Sequence, residues 1–175
     1  MTTPRAQIKQ IQVPQFGSLN DFAAGADGNF AVTPTEVAKL HRRVYTAHLT
    51  DANTANVAMV EFGLFRAANG PVRVISADVT TPVGIDVTAD DTDYASVVLS
   101  KRTAGGAATV VGTKSTTVAG LGLTALTPAP VTLVAAAVDL ALNDVLTVQL
   151  TKTGAGQKVS ASTGRCLVTV TVEEM

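Results

Sequence analysis

The stretch Val145-Leu146-Thr147-Val148-Gln149-Leu150-Thr151-Lys152-Thr153 decides the fold. Successive side chains on a strand point to opposite faces, so Leu146, Val148 and Leu150 turn one way while Thr147, Gln149 and Thr151 turn the other. That is the pattern of a half-buried strand. The C-terminal segment repeats it, with Cys166, Val168, Val170 and Val172 on one face and Leu167, Thr169 and Thr171 on the other. Burying each inward aliphatic side chain contributes about 1.5–3 kcal/mol, so several per strand outweigh any single polar contact in fixing register. On this facing, Val148→Asp is expected to make the protein insoluble and Thr147→Asp is not.

The alternation extends back towards residue 57, punctuated by Gly, Asn, Asp and Pro. It predicts strands at residues 44–49, 57–66 (with Val60, Phe62 and Leu64 on one face), 72–79, 94–102, 109–117, 131–134, 145–153 and 165–173, and a short one at 85–87. Asn69-Gly70-Pro71, Thr81-Pro82-Val83-Gly84 and Asn143-Asp144 are the turn signals between them. Gly105-Gly106 lies in a predicted hairpin, and Gly154-Ala155-Gly156 reads as a hairpin tip. Residues 120–130 hold two Gly and two Pro and are expected to cross between sheets. About eight strands with no helices between them exclude a parallel α/β arrangement. They predict an all-β sandwich of jelly-roll or immunoglobulin-like kind, two orders that share the same alternation.

The N-terminal part differs. Ile8, Ile11, Val13, Phe16, Leu19, Phe22 and Phe30 follow no sustained period and are interrupted by Pro14, Gly17, Gly25 and Gly28. An apolar segment without a period cannot build its own core, so it is expected to lie extended against its own sandwich or, preferably, a neighbouring subunit. Ile8, Ile11, Val13 and Phe16 are the expected partner contacts. Thr33-Pro34-Thr35-Glu36 offers an N-cap, a proline suited to the first helical position and a capping-box glutamate, which predicts a short helix over residues 34–41. The expected division is an arm with this helix over residues 1–43 and a sandwich over 44–175.

Composition narrows the function. Of the 175 residues 15% are charged and the net charge is −1, against about 25% charged in ordinary soluble domains. A weakly charged Ala, Thr and Val surface repels copies of itself little. The one basic knot, Lys39, His41, Arg42 and Arg43, has no interleaved aromatics, and it reads as a solvated helix end, with no nucleic acid expected. Residues 1–10 contain no apolar core for a secretory signal, and residues 131–142 are too short and broken by Asp139 for a membrane span. A soluble protein made in a cytoplasm is the expectation.

Residues able to do chemistry are few. His41 and His48 lack the spacing of a helical metal pair, and no Gly-x-Ser-x-Gly elbow accompanies them. Cys166, the single cysteine, falls on the inward face of the last strand and reads as a small core hydrophobe. Residues 154–158, Gly-Ala-Gly-Gln-Lys, lack the order of a phosphate loop. Asp86, Asp90, Asp91 and Asp93 form the best candidate site, since Ca²⁺ takes several carboxylates from one flexible loop, although their spacing is not that of an EF-hand. No catalytic residue, metal or cofactor is expected, and an enzyme is not.

Leu64-Phe65-Arg66-Ala67, then Asp90-Asp91-Thr92-Asp93-Tyr94-Ala95 with a Val-rich strand ending in Lys101-Arg102, then Asp144-Val145-Leu146-Thr147-Val148 and Thr151-Lys152-Thr153-Gly154 together resemble the capsid decoration, or cement, proteins of tailed bacteriophages. The resemblance covers roughly residues 62–172, rests on strand and turn chemistry, and leaves the arm outside. It implies a virion protein with a β-sandwich body, assembled in the host cytoplasm. Such a protein binds the outer face of a major capsid protein, often as a homotrimer at local threefold positions. The alternative is a receptor- or carbohydrate-binding sandwich of a head fibre or tail spike, against which stand the absence of Trp and the 4% aromatic content.

Overall fold

The chain folds into two antiparallel sheets packed face to face, seen in a computed structural model that describes residues 23–24, 30–31, 41–50, 61–103, 106–154, 158–160 and 165–175. It divides into two units, residues 1–40 and 41–175. In the first, β1 (Ala23–Ala24) and β2 (Phe30–Ala31) pair antiparallel. Ile8, Ile11, Val13, Phe16 and the expected helix over 34–41 lie outside the described residues, apart from His41, which forms a turn.

The second unit carries β3 (Arg42–Leu49), β4 (Phe62–Arg66), β5 (Val72–Thr80), β6 (Tyr94–Arg102), β7 (Ala108–Ser115), β8 (Ala129–Pro130), β9 (Thr132–Leu133), β10 (Asp139–Leu140), β11 (Val145–Thr153) and β12 (Cys166–Glu174). One sheet runs β10-β5-β12-β3 with β8 also on β5, and the other runs β4-β11-β6-β7-β9. The pairs are nested: β3 with β12, β4 with β11, β5 with β10 and β6 with β7. A long antiparallel hairpin rolled around a common core produces this nesting, which is the jelly-roll order. The immunoglobulin-like alternative is thereby set aside.

Among the described residues of this unit there are ten strands in place of about eight, because β8, β9 and β10 have two residues each. β8 and β9 belong to one run that crosses the sandwich edge: Pro130 pairs with Asp78 in one sheet, Thr132 with Thr113 in the other, and Val131 between them donates to Ala77 O at 2.8 Å. The hairpin expected at residues 154–156 is a correction, since β11 and β12 lie in different sheets and the chain between them changes sheet. The strand expected at 85–87 reduces to one bridge, Val87 with Leu123.

The core follows the alternation. Leu146, Val148 and Leu150 of β11 meet Cys166, Val168, Val170 and Val172 of β12, all fully buried, with Val79, Leu99, Val111 and Leu140. Thr147 is the exception on the other face. It is buried too, because its hydroxyl bonds the Glu61 carboxylate and lies 3.0 Å from Ser100 O. Among the described residues no helix is long and apolar enough to cross a membrane, a finding silent on β-barrels.

Candidate functional site

The nested hairpin brings the β5–β6 connection (residues 81–93) and the start of the β7–β8 connection (116–127) to one end of the sandwich, where they are bonded into a single layer. Val87 and Leu123 exchange both backbone bonds at 2.8 Å, Asp90 N donates to Thr116 O at 3.1 Å, and Leu126 N to Thr81 O at 3.0 Å. Gly122 is required here, because a Cβ on it would run into the Val87 carbonyl oxygen. Behind the layer, Lys114 on β7 is buried and gives its ammonium to Gly120 O at 2.6 Å; burial pushes its pKa down.

The acidic loop supplies much of this stitching. Asp86 Oδ1 accepts from Ala125 N at 2.8 Å and Asp91 Oδ1 from Val118 N at 2.9 Å. Asp90 Oδ1 accepts from the Thr92 hydroxyl at 2.6 Å, the Thr92 amide at 2.7 Å and the Asp93 amide at 3.1 Å, and these bonds hold its pKa below the ordinary carboxylate range. The carboxylates thus point at different backbone donors. Among the described residues no group of three or more His, Cys, Asp or Glu is placed to hold a metal ion.

The layer exposes four large apolar side chains among polar ones such as Asp86, Thr88, Asp91 and Thr124. Val83, Val118, Leu121 and Leu126 are 76, 57, 68 and 62% exposed. Leu121 and Leu126 also hold left-handed backbones, with φ of 63° and 57°. A residue with a Cβ there costs about 1–2 kcal/mol, and strain of this kind gathers where a surface has work to do. Burial cannot account for the leucines, since their side chains face solvent. Their composition gave no warning: leucine favours helices and cores, and the available signal was Leu121 lying between Gly120 and Gly122.

The opposite end is charged and paired. Arg42 meets Glu173 at 3.8 Å, Arg43 and His41 meet Glu174, and Arg73 clasps Asp139 at 2.6 and 2.9 Å. The basic knot is therefore corrected: His41, Arg42 and Arg43 lead into and open β3 and do not cap a helix, while Lys39 is outside the described residues. Glu61, held by two bonds from Arg102 and one from Thr147, has its pKa lowered to about 2. At the edge where β3 faces β4, the Tyr45 and Phe65 rings stack with centroids 4.5 Å apart and planes at 13°. They line a cleft of about 270 Å³ with Arg43, Arg66, Gly70 and Met175. His48 is exposed, and Cys166 is buried and not part of a disulfide.

No protein-family model matches the chain, and no curated protein matches it by sequence. Among solved structures it is similar to one described as "Structure of infectious bursal disease virus Gx strain", with 16% identity and a TM-score of 0.34, over 76% of this chain and 32% of that one. The chain thus spans about a third of the length of the structure it matches.

Proposed function

We propose that this is a structural protein of a virion, which binds the outer face of the major capsid protein of a tailed phage and stabilises the shell without catalysing a reaction. The observation that carries the reading is the hydrogen-bonded end layer with its four exposed apolar side chains, two of them on left-handed backbones. A surface that orders exposed leucines at an energetic cost is suited to a partner that buries them.

The magnitudes explain why copies act together. Burying each of these side chains contributes about 1.5–3 kcal/mol, while association costs about 4–15 kcal/mol in lost freedom, so one sandwich alone binds weakly. Joining copies, with a homotrimer favoured, makes the later contacts intramolecular and multiplies the affinity. In this reading the N-terminal arm, through Ile8, Ile11, Val13 and Phe16, grips neighbouring subunits, and the protein resides on the capsid surface after assembly in the host cytoplasm.

Cosedimentation with undecorated capsids tests this. Saturable pelleting that weakens when residues 1–30 are removed is the expected result; no pelleting of the full chain overturns the decoration role, and pelleting indifferent to the truncation overturns the arm. The receptor- or carbohydrate-binding alternative draws on the Tyr45–Phe65 stack in its cleft, and glycan-array binding lost on Tyr45→Ala would favour it.

A further inference from the structure

The two long edges of the sandwich are treated differently. On one, the run through β8 and β9 bonds to β5 in one sheet and to β7 in the other, with Val131 N on Ala77 O and Val134 N on Val111 O, each at 2.8 Å. That edge is bridged. On the other, β3 pairs along its whole length with β12, from Leu49 opposite Cys166 to Arg42 opposite Glu173, and has no second partner strand among the described residues. An eight-residue edge strand of this kind presents unpaired amides and carbonyls to any extended peptide, and natural proteins seldom leave one uncovered. Val44, 62% exposed, stands on it. The cleft beside it is floored by the stacked Tyr45 and Phe65 rings, and Arg66, bonded at its mouth to the neutral Asn143 side chain, brings a positive charge.

We infer that this edge is the seat of the N-terminal arm of a second copy, whose residues 8–13 add a strand antiparallel to β3 while Phe16 reaches the cleft. The inference rests on the decoration reading, which requires linked copies, and names where the link is made. Length fits: residues 8–13 extended cover about 20 Å, within the roughly 26 Å of an eight-residue strand. Ile8, Ile11 and Val13 are β-branched and suit a strand, and Pro14 ends the pairing because it has no amide to give. The antiparallel sense sets Ile8 beside His48 and Leu49 and Val13 beside Arg43 and Val44. It directs the chain beyond Pro14 towards the cleft, so that Asp21, the first acidic residue of the sequence, approaches Arg66. The parallel sense would instead set Arg5 and Lys9 towards Arg42 and Arg43.

Single-cysteine pairing tests the assignment on the full-length protein, since the native thiol of Cys166 is buried. V13C and V44C chains carrying different tags are mixed and oxidised, with V83C, at the far end and 76% exposed, replacing V44C as the control. The expected result is a disulfide-linked heterodimer of V13C with V44C at least tenfold above the control. Equal yields with V44C and V83C overturn the site. Linkage confined to the V13C/V44C double variant within one chain overturns the second copy as occupant. Capsid cosedimentation of the same proteins separates the two claims: loss of the cross-link with pelleting intact rejects this seat alone, and a strong cross-link without pelleting rejects the decoration reading alone.

Discussion

Thr147 shows how a single residue departs from its pattern. Its place in the alternation puts it opposite Val148, yet Glu61, far away in sequence, closes over it with Arg102. Thr147→Asp would set a second carboxylate against Glu61, so both Thr147→Asp and Val148→Asp are expected to lower solubility; Thr109→Asp, on an exposed position of β7, is the harmless control, and soluble yield reads all three. The same network gives a pH signature. Glu61 is held at about 2 against an ordinary 4.5, so its contribution is complete above pH 4.5 and is lost as pH falls towards 2. Allowing for solvent around Arg102, Glu61→Gln should cost about 1 kcal/mol at pH 7 and flatten denaturant-measured stability across that acid window. Thr81 points the other way. Its hydroxyl is buried with no hydrogen-bond partner among the described residues, so Thr81→Val should raise stability by about 1 kcal/mol, checked by the urea midpoint.

At the scale of elements, the long strands were legible and the short ones were not. β6 and β11 run over residues 94–102 and 145–153 as their alternation requires, because burial of every second side chain is a local instruction. β8, β9 and β10 owe their pairing to partners brought from other parts of the chain, and two residues carry no period to read. The change of sheet between β11 and β12 was hidden for the same reason: glycines mark a turn without saying which sheet follows it. Of the candidate site, the acidic loop was visible as a cluster, but its stitching role depends on backbone amides near residues 118 and 125. Gly122 is the element-scale test. Gly122→Val should force Val87 and Leu123 apart and lower the melting temperature by several degrees, a shift of about 1–3 kcal/mol.

For the whole molecule, the jelly-roll body carries one hydrogen-bonded end layer with exposed apolar side chains, which the proposed function assigns to contact with a shell. Leu121→Asn with Leu126→Asn separates stability from binding, because asparagine tolerates the left-handed backbone better than leucine. The double variant should melt no lower than the parent, and its backbone strain should fall. Its saturable cosedimentation with undecorated capsids is the direct measurement. Affinity reduced at least tenfold with an unchanged or raised melting temperature is the predicted result; capsid binding as tight as that of the parent would contradict the account.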